Sequence, residues 1–198
     1  FPAKTKDFVT AVDEKSIILV KELREKENME EIEKIAKNIA DMLHTEINSQ
    51  VFISIGTVVS DLKDVSRSYK EAKMALEVGK IFETEKHIVN YERLGIGRLI
   101  YQLPLPLCRM FIKEVLHGLT MDDFDDETLA TVNKFFENNL NVSETSRQLY
   151  IHRNTLVYRL DKLQKMTGLD LRNFDDAIIF KITLMVSKYM IYMDKMSY

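Results

Sequence analysis

The sequence predicts a chain of two domains, an α/β domain followed by an all-α domain. Strand-like segments alternate with amphipathic helices up to about residue 91, and the strand signals fade from Leu94 onward. Two prolines, Pro104 and Pro106, then break the chain between two helical segments. These observations place an α/β domain at residues 1–100, a helical linker at 101–127 and an all-α domain at 128–198.

The first domain has the predicted order ββαβαβ. Residues 7–20 form a hairpin in this prediction, because Val, Ile and Phe flank the polar turn Asp13-Glu14-Lys15. Further strands are predicted at Gln50–Ile55 and His87–Tyr91, with helices from about Asn28 and over Asp61–Gly79. The order indicates helices packed on a sheet. The predicted apolar helix faces hold Ile32, Ile35, Ala36, Ile39, Met42 and Leu43, and then Leu62, Val65, Tyr69, Ala72 and Leu76.

Composition limits the class of protein. The 198 residues are 45% hydrophobic and 30% charged, which is ordinary for a globular protein. No apolar run approaches the ~18 residues of a membrane span, so we expect no membrane partner. The single cysteine, Cys108, and the lack of a secretory signal predict a reducing, cytoplasmic setting. The chain opens on Phe1-Pro2 without an initiator methionine, which predicts a piece of a longer protein.

The charge of the chain is unevenly distributed. The net charge is -3, but residues 128–198 hold 10 basic and 7 acidic side chains. The preceding 127 residues hold 18 basic and 24 acidic side chains. A relatively basic end on an acidic chain favours a nucleic-acid-facing C-terminal domain.

Residues 141–168 are predicted to form two helices separated by a very short turn. Asn141 can cap the first helix, and Glu144 can return the bond in a capping box. Ser146 is small enough to let the second helix approach closely. This arrangement of a short capped helix, a tight turn and a second helix is typical of a helix-turn-helix.

The second helix of this pair has one apolar and one polar face. Leu156, Leu160 and Leu163 share the apolar face. Arg, Asn and Thr side chains can contact guanine, adenine and the thymine methyl group, and the N-terminal part of such a helix enters the major groove. The sequence therefore predicts double-stranded DNA as the partner, although a merely solvated basic face is the alternative. The predicted base contacts are Arg153, Asn154 and Thr155; Tyr158, Arg159 and Lys162 are expected nearer the phosphates; His152 is either a DNA contact or a helix cap.

The segment His152-Arg153-Asn154-Thr155-Leu156, with Tyr158-Arg159-Leu160, closely resembles the C-terminal helix-turn-helix of the PucR/CdaR family. That family includes regulators of purine catabolism and of sugar-diacid use. The segments 53–56, 68–72, 75–76 and 94–95, with Tyr91, resemble the degenerate GGDEF-like domain, of ferredoxin-like α/β fold, that precedes it. The resemblance implies a sequence-specific regulator of a metabolic operon, an upstream sensor domain and a small-molecule effector. Helix-turn-helix proteins often bind as dimers, so we also expect a homodimer.

The residue patterns do not indicate an enzyme. A diguanylate cyclase needs a Gly-Gly-containing loop, and the sequence has no Gly-Gly pair, so we predict no catalytic residues and no cofactor. The acidic stretch Asp122–Glu127 lacks the pattern of a calcium loop, and the four histidines lack metal-site spacing, so no metal is predicted. Two alternatives stay open. The α/β domain could be a small-molecule or nucleotide-binding sensory module with the helical domain as output. The methionines Met185, Met190, Met193 and Met196 could form helix core or a dimer surface.

Overall fold

The computed structural model describes residues 6–24, 28–48, 51–83 and 86–196. The chain divides into two compact units between Arg98 and Leu99, two residues before the boundary predicted at residue 100. No helix in these ranges is long and apolar enough to cross a membrane.

The first unit begins with the predicted hairpin. Strand β1 (Phe8–Asp13) pairs antiparallel with β2 (Ser16–Val20). The Asp13 carboxylate accepts the Lys15 backbone N–H at 2.8 Å, which closes the turn. Side chains on both faces of the hairpin stay more than half exposed, including Phe8, Val9, Val12 and Ile17.

Two helices and two short strands complete this unit. Helix α1 (Met29–Ile47) begins at Asn28, whose side chain accepts the Glu31 N–H at 3.1 Å. Strand β3 (Ile53–Ile55) runs parallel to β4 (Ile88–Asn90), and α2 (Val65–Phe82) is the crossover that packs on both.

The order ββαβαβ is confirmed, but the sheet differs from the ferredoxin-like expectation. Among the described residues the four strands form two separate two-stranded sheets, β1-β2 and β3-β4. In the described structure β1 and β2 pair only with each other, and β3 and β4 are only three residues long. The predicted face of the second helix is also shifted. Leu62 lies in a 3-10 turn before α2 and is 88% exposed, whereas Ala75, Val78, Gly79 and Ile81 are the buried residues of α2.

The second unit is helical, and its boundary at Leu99 falls within the short helix α3 (Ile96–Tyr101). Helix α4 (Leu105–Val115) starts after Pro104 and packs on the final helix, α8 (Phe174–Met196). The segment 101–127, predicted as a linker, therefore lies inside this unit. The Tyr189 hydroxyl of α8 donates to the Leu103 carbonyl at 3.3 Å, and the Cys108 thiol is buried and free.

The core of the second unit is built from α8 and three further helices, α5 (Asp126–Glu137), α6 (Val142–Gln148) and α7 (Arg153–Thr167). Each buried leucine or phenylalanine contributes about 1.5–3 kcal/mol, so this core holds α7 firmly. Met185, Met190 and Met193 are half-buried on α8, while Met196 is 62% exposed. The buried core comprises Leu116, Phe124, Val132, Phe135, Leu156, Leu160, Leu163, Leu171, Phe180 and Leu184.

Candidate DNA interface

Helix α6 begins at the predicted cap. The Asn141 side chain accepts the Glu144 backbone N–H at 3.0 Å. The expected return bond of a capping box is replaced, because the Glu144 carboxylate accepts from Arg147 at 2.6 Å and from Gln148 at 2.7 Å. These two bonds, that from Arg147 foremost, lower the pKa of Glu144. The predicted cap at Asn141 is confirmed, whereas the prediction of a reciprocal bond from Glu144 was wrong.

The turn between α6 and α7 is short and well bonded. The Ile151 N–H donates to the Ser146 carbonyl at 3.0 Å, and Leu149 and Ile151 pack against the core. His152 is the N-cap of α7, where its Nδ1 accepts the Asn154 N–H at 3.2 Å. Of its two predicted roles, His152 therefore fills the cap. Because Nδ1 is the acceptor, a neutral ring carries its proton on Nε2.

The buried face of α7 agrees with the prediction. Leu156, Leu160 and Leu163 are all buried in the core. Helix α6 packs directly on α7. Ser146, on α6, is also buried, and its hydroxyl donates to the Ser143 carbonyl at 3.0 Å. A small residue at this position is compatible with the close approach that the sequence indicates.

The opposite face of α7 presents unengaged polar groups on its first two turns. Arg153, Asn154, Thr155 and Tyr158 are exposed, and Tyr158 is 70% accessible. None of the four side chains makes a hydrogen bond or ion pair with any residue that the structure describes. The donors and acceptors that could contact base edges are thus free and carried on a helix whose other face is fixed in the core.

Arg159 and Lys162 lie differently from these four. The Arg159 guanidinium donates to the Thr131 hydroxyl at 3.0 Å and forms an ion pair with Glu127. Lys162 Nζ donates to the Asp125 carboxylate at 2.9 Å. Only 17% of the Arg159 side chain is exposed, compared with 48% of the Lys162 side chain. Two of the three predicted phosphate contacts, Arg159 and Lys162, are therefore tied to the N-terminal part of α5.

Asp125 links the start of α5 to α7. One carboxylate oxygen accepts the Thr128 N–H at 2.6 Å and the other accepts from Lys162. The bonds from Thr128 and from the Lys162 ammonium hold the pKa of Asp125 far below its ordinary value. Asp125 therefore both caps α5 and joins it to α7.

Sequence reasoning missed two features of this surface. The pairing of α5 with α7 follows from opposite charges on segments far apart in sequence, and only the acidic stretch itself gave a hint of it. Tyr150, in the turn, is 96% exposed with a φ of 55°. Its position directly after a short helix, where glycine is the common residue, could have indicated an unusual backbone conformation.

Two family models match the chain. The PucR C-terminal helix-turn-helix domain matches residues 128–186, which include α6, α7 and most of α8. The GGDEF-like domain matches residues 2–78, which include β1 to β3, α1 and most of α2. The matched regions lie in different units of the structure.

Three curated relatives are transcriptional regulators. The chain is 26% identical to the purine catabolism regulatory protein of Bacillus subtilis, over 75% of this chain and 29% of that one. It is 32% identical to the carbohydrate diacid regulator of Escherichia coli, over 69% and 35% of the two chains. It is 25% identical to the proline-responsive transcriptional activator PutR of Bacillus subtilis, over 91% and 45%.

The chain spans less than half the length of each of these relatives. The two domain types nevertheless occur in the order that the sequence predicts, with the GGDEF-like domain first. The helix-turn-helix formed by the capped helices α6 and α7 agrees with the two matching family models and with the regulators among the relatives. The chain belongs to the PucR/CdaR family of transcription regulators.

Proposed function

We propose that residues 128–198 bind duplex DNA sequence-specifically, with the N-terminal half of α7 in the major groove. The observation that carries this proposal is the set of unengaged polar side chains on the first two turns of α7. Arg153 has the bidentate geometry for guanine, Asn154 for adenine, and Thr155 offers a methyl group to thymine. Tyr158, one turn further on, is suited to the sugar–phosphate backbone.

The contacts of Arg159 and Lys162 divide the predicted DNA-binding set. A guanidinium that already bonds to Thr131 and Glu127 would have to break both bonds to reach a phosphate. We therefore propose that Arg159 positions α7 on α5. Lys162 is half-exposed, and its partner Asp125 is also at the surface, so an exchange of that carboxylate for a phosphate is inexpensive. His152 is exposed, and its Nε2, which the cap bond does not use, is proposed as its group for a DNA contact.

The wider role is that of a regulator of a metabolic operon, acting as a homodimer in the cytoplasm under the control of a small-molecule effector. The names of the three relatives refer to purine catabolism, carbohydrate diacids and proline, and they support a metabolic operon for this chain also. The GGDEF-like unit would then carry the signal or the dimer contact, and no catalysis is assigned to it.

The test is selection of binding sites from random duplex DNA, followed by anisotropy titrations of the enriched duplex at several salt concentrations. We expect one enriched motif, an affinity that falls with salt, and a loss of base preference of roughly 1–3 kcal/mol in Arg153→Ala. The matched control is Arg109→Ala, an exposed arginine of α4 that pairs with Asp194. A two-fold repeat in the motif would support the homodimer. No enrichment, or equal behaviour of the two variants, would contradict the proposed interface.

A further inference from the structure

Tyr150 occupies a backbone conformation that its side chain does not favour. Helix α6 ends with the Tyr150 N–H donating to the Arg147 carbonyl at 3.1 Å and the Ile151 N–H donating to the Ser146 carbonyl at 3.0 Å. This pattern places the intervening residue in the left-handed region, and Tyr150 has a φ of 55°. Glycine adopts that conformation without cost, whereas a β-carbon is crowded by the following carbonyl oxygen. Folding alone would therefore favour glycine here.

The Tyr150 ring makes no contact with the described residues that would offset this backbone cost. Its side chain is 96% exposed and makes no hydrogen bond, ion pair or ring contact with the residues that the structure describes. Tyr189 in the same unit shows the contrast, since its buried ring packs against Tyr101 and its hydroxyl bonds to a backbone carbonyl. The benefit of an aromatic side chain at position 150 must come from a contact beyond the residues that the structure describes.

The position of Tyr150 indicates which partner. It lies two residues before the His152 cap and three before Arg153, so its Cα is at most roughly 11 Å from that of Arg153. In helix-turn-helix complexes the first helix crosses the DNA backbone while the second enters the groove, which leaves the turn beside the backbone. Tyrosine hydroxyls are among the groups that bond phosphate oxygens.

We propose that Tyr150 contacts the DNA sugar–phosphate backbone, with its hydroxyl donating to a phosphate oxygen and its ring lying over the adjoining sugar. The inference rests on the proposed function, to which it adds a contact outside α7. Because phosphate contacts position a protein without recognising bases, Tyr150 contributes to affinity and leaves base preference unchanged. Because it is uncharged, it releases no counterion, and the salt dependence of binding stays the same.

The experiment compares the full chain with Tyr150→Gly and Tyr150→Phe, using the duplex enriched by selection. Tyr150→Gly relieves the backbone and should raise the thermal midpoint, yet it should weaken binding by roughly tenfold. Tyr150→Phe keeps the ring and the strain but loses the hydroxyl, so it should also weaken binding while stability stays parental. In both variants the slope of log affinity against log salt and the selected motif should be unchanged.

The matched control is His117→Gly. His117 is exposed and has a φ of 51° after the end of α4. The Gly118 N–H donates to the Lys113 carbonyl at 3.3 Å, which is equivalent to the bond from Ile151 to Ser146. It should gain stability and bind DNA like the parent chain. Parental affinity in Tyr150→Phe overturns the hydroxyl contact, and parental affinity in Tyr150→Gly overturns the whole inference. A parent chain that binds no duplex overturns the proposed function itself.

Discussion

The Nη1 atom of Arg159 lies 3.0 Å from the hydroxyl oxygen of Thr131, and this bond joins α7 to α5. The Thr131 hydroxyl in turn donates to the Glu127 carbonyl at 2.8 Å, and the Glu127 carboxylate pairs with the same guanidinium. Thr131 is buried, so the contact is anchored at the edge of the core. The exposed first turns of α7 are thereby presented from a helix held on two sides.

Arg159→Ala should lower the free energy of unfolding by about 1–3 kcal/mol, because it removes charge-assisted bonds and leaves the Thr131 hydroxyl without its donor. DNA binding should weaken because α7 is less well held, while the salt slope stays parental. A direct phosphate contact would instead reduce that slope by about one. Urea unfolding and salt-dependent anisotropy measure the two effects. Full stability with a reduced slope would return Arg159 to the set of DNA contacts.

The Asp125 carboxylate should make stability depend on acidity. Its pKa is lowered in the folded chain from an ordinary value of 3.8, so its contribution is present above that pH and is lost as the pH falls below it. The parent should therefore lose more stability than Asp125→Asn between about pH 5 and pH 2, since Asn retains a cap acceptor but has no proton to bind there. Urea titrations at stepped pH values check this.

The control for Asp125 is Asp122→Asn. Asp122 is exposed, and its side chain makes no hydrogen bond or ion pair with the described part of the chain. Its variant should follow the parent throughout. An Asp125→Asn curve parallel to that of the parent would show that the bonds from Thr128 and Lys162 do not stabilise the fold.

Thr145→Val should raise the free energy of unfolding by about 1 kcal/mol. The Thr145 hydroxyl on α6 is fully buried and has no hydrogen-bond partner among the described residues, and Val has the same shape without the polar atom. Thr131→Val is the matched comparison, because that buried hydroxyl is bonded on both sides and its loss should destabilise. Chemical denaturation of the two variants should give shifts of opposite sign; shifts of the same sign would contradict the prediction.

Gly56→Ala should destabilise the first unit by about 1–3 kcal/mol. A β-carbon at Gly56 would collide with the backbone carbonyl oxygen of Ser68 on α2, which cannot move without disturbing the helix. The Ser68 hydroxyl also donates to the Thr57 carbonyl at 2.7 Å, so the two segments are closely joined. Hydrogen exchange over residues 65–82 should accelerate in Gly56→Ala and stay parental in the exposed Ser60→Ala. Unchanged protection would show that the contact can relax.

Local sequence signals predicted much of this chain. Caps at Asn28 and Asn141, the apolar spacing of Leu156, Leu160 and Leu163, and the breaks at the prolines depend on neighbours within a few residues. The same short-range information placed Arg153, Asn154 and Thr155 on the exposed face at the start of α7. Periodicity and capping are properties of a single helix, and they can be recognised without knowing what the helix packs against.

Only the tertiary structure decided which cations of α7 are engaged. Arg159 and Arg153 are alike in sequence terms, yet Arg159 is bound by Glu127 and Thr131, about 30 positions away in the chain. Arg153 has no such partner within the described part of the chain. The division of the strands into two pairs and the shift of the buried face of α2 were likewise set by packing between distant segments. The physical reason is that a side chain's partners depend on where the fold brings other segments, whereas its own propensity and periodicity do not.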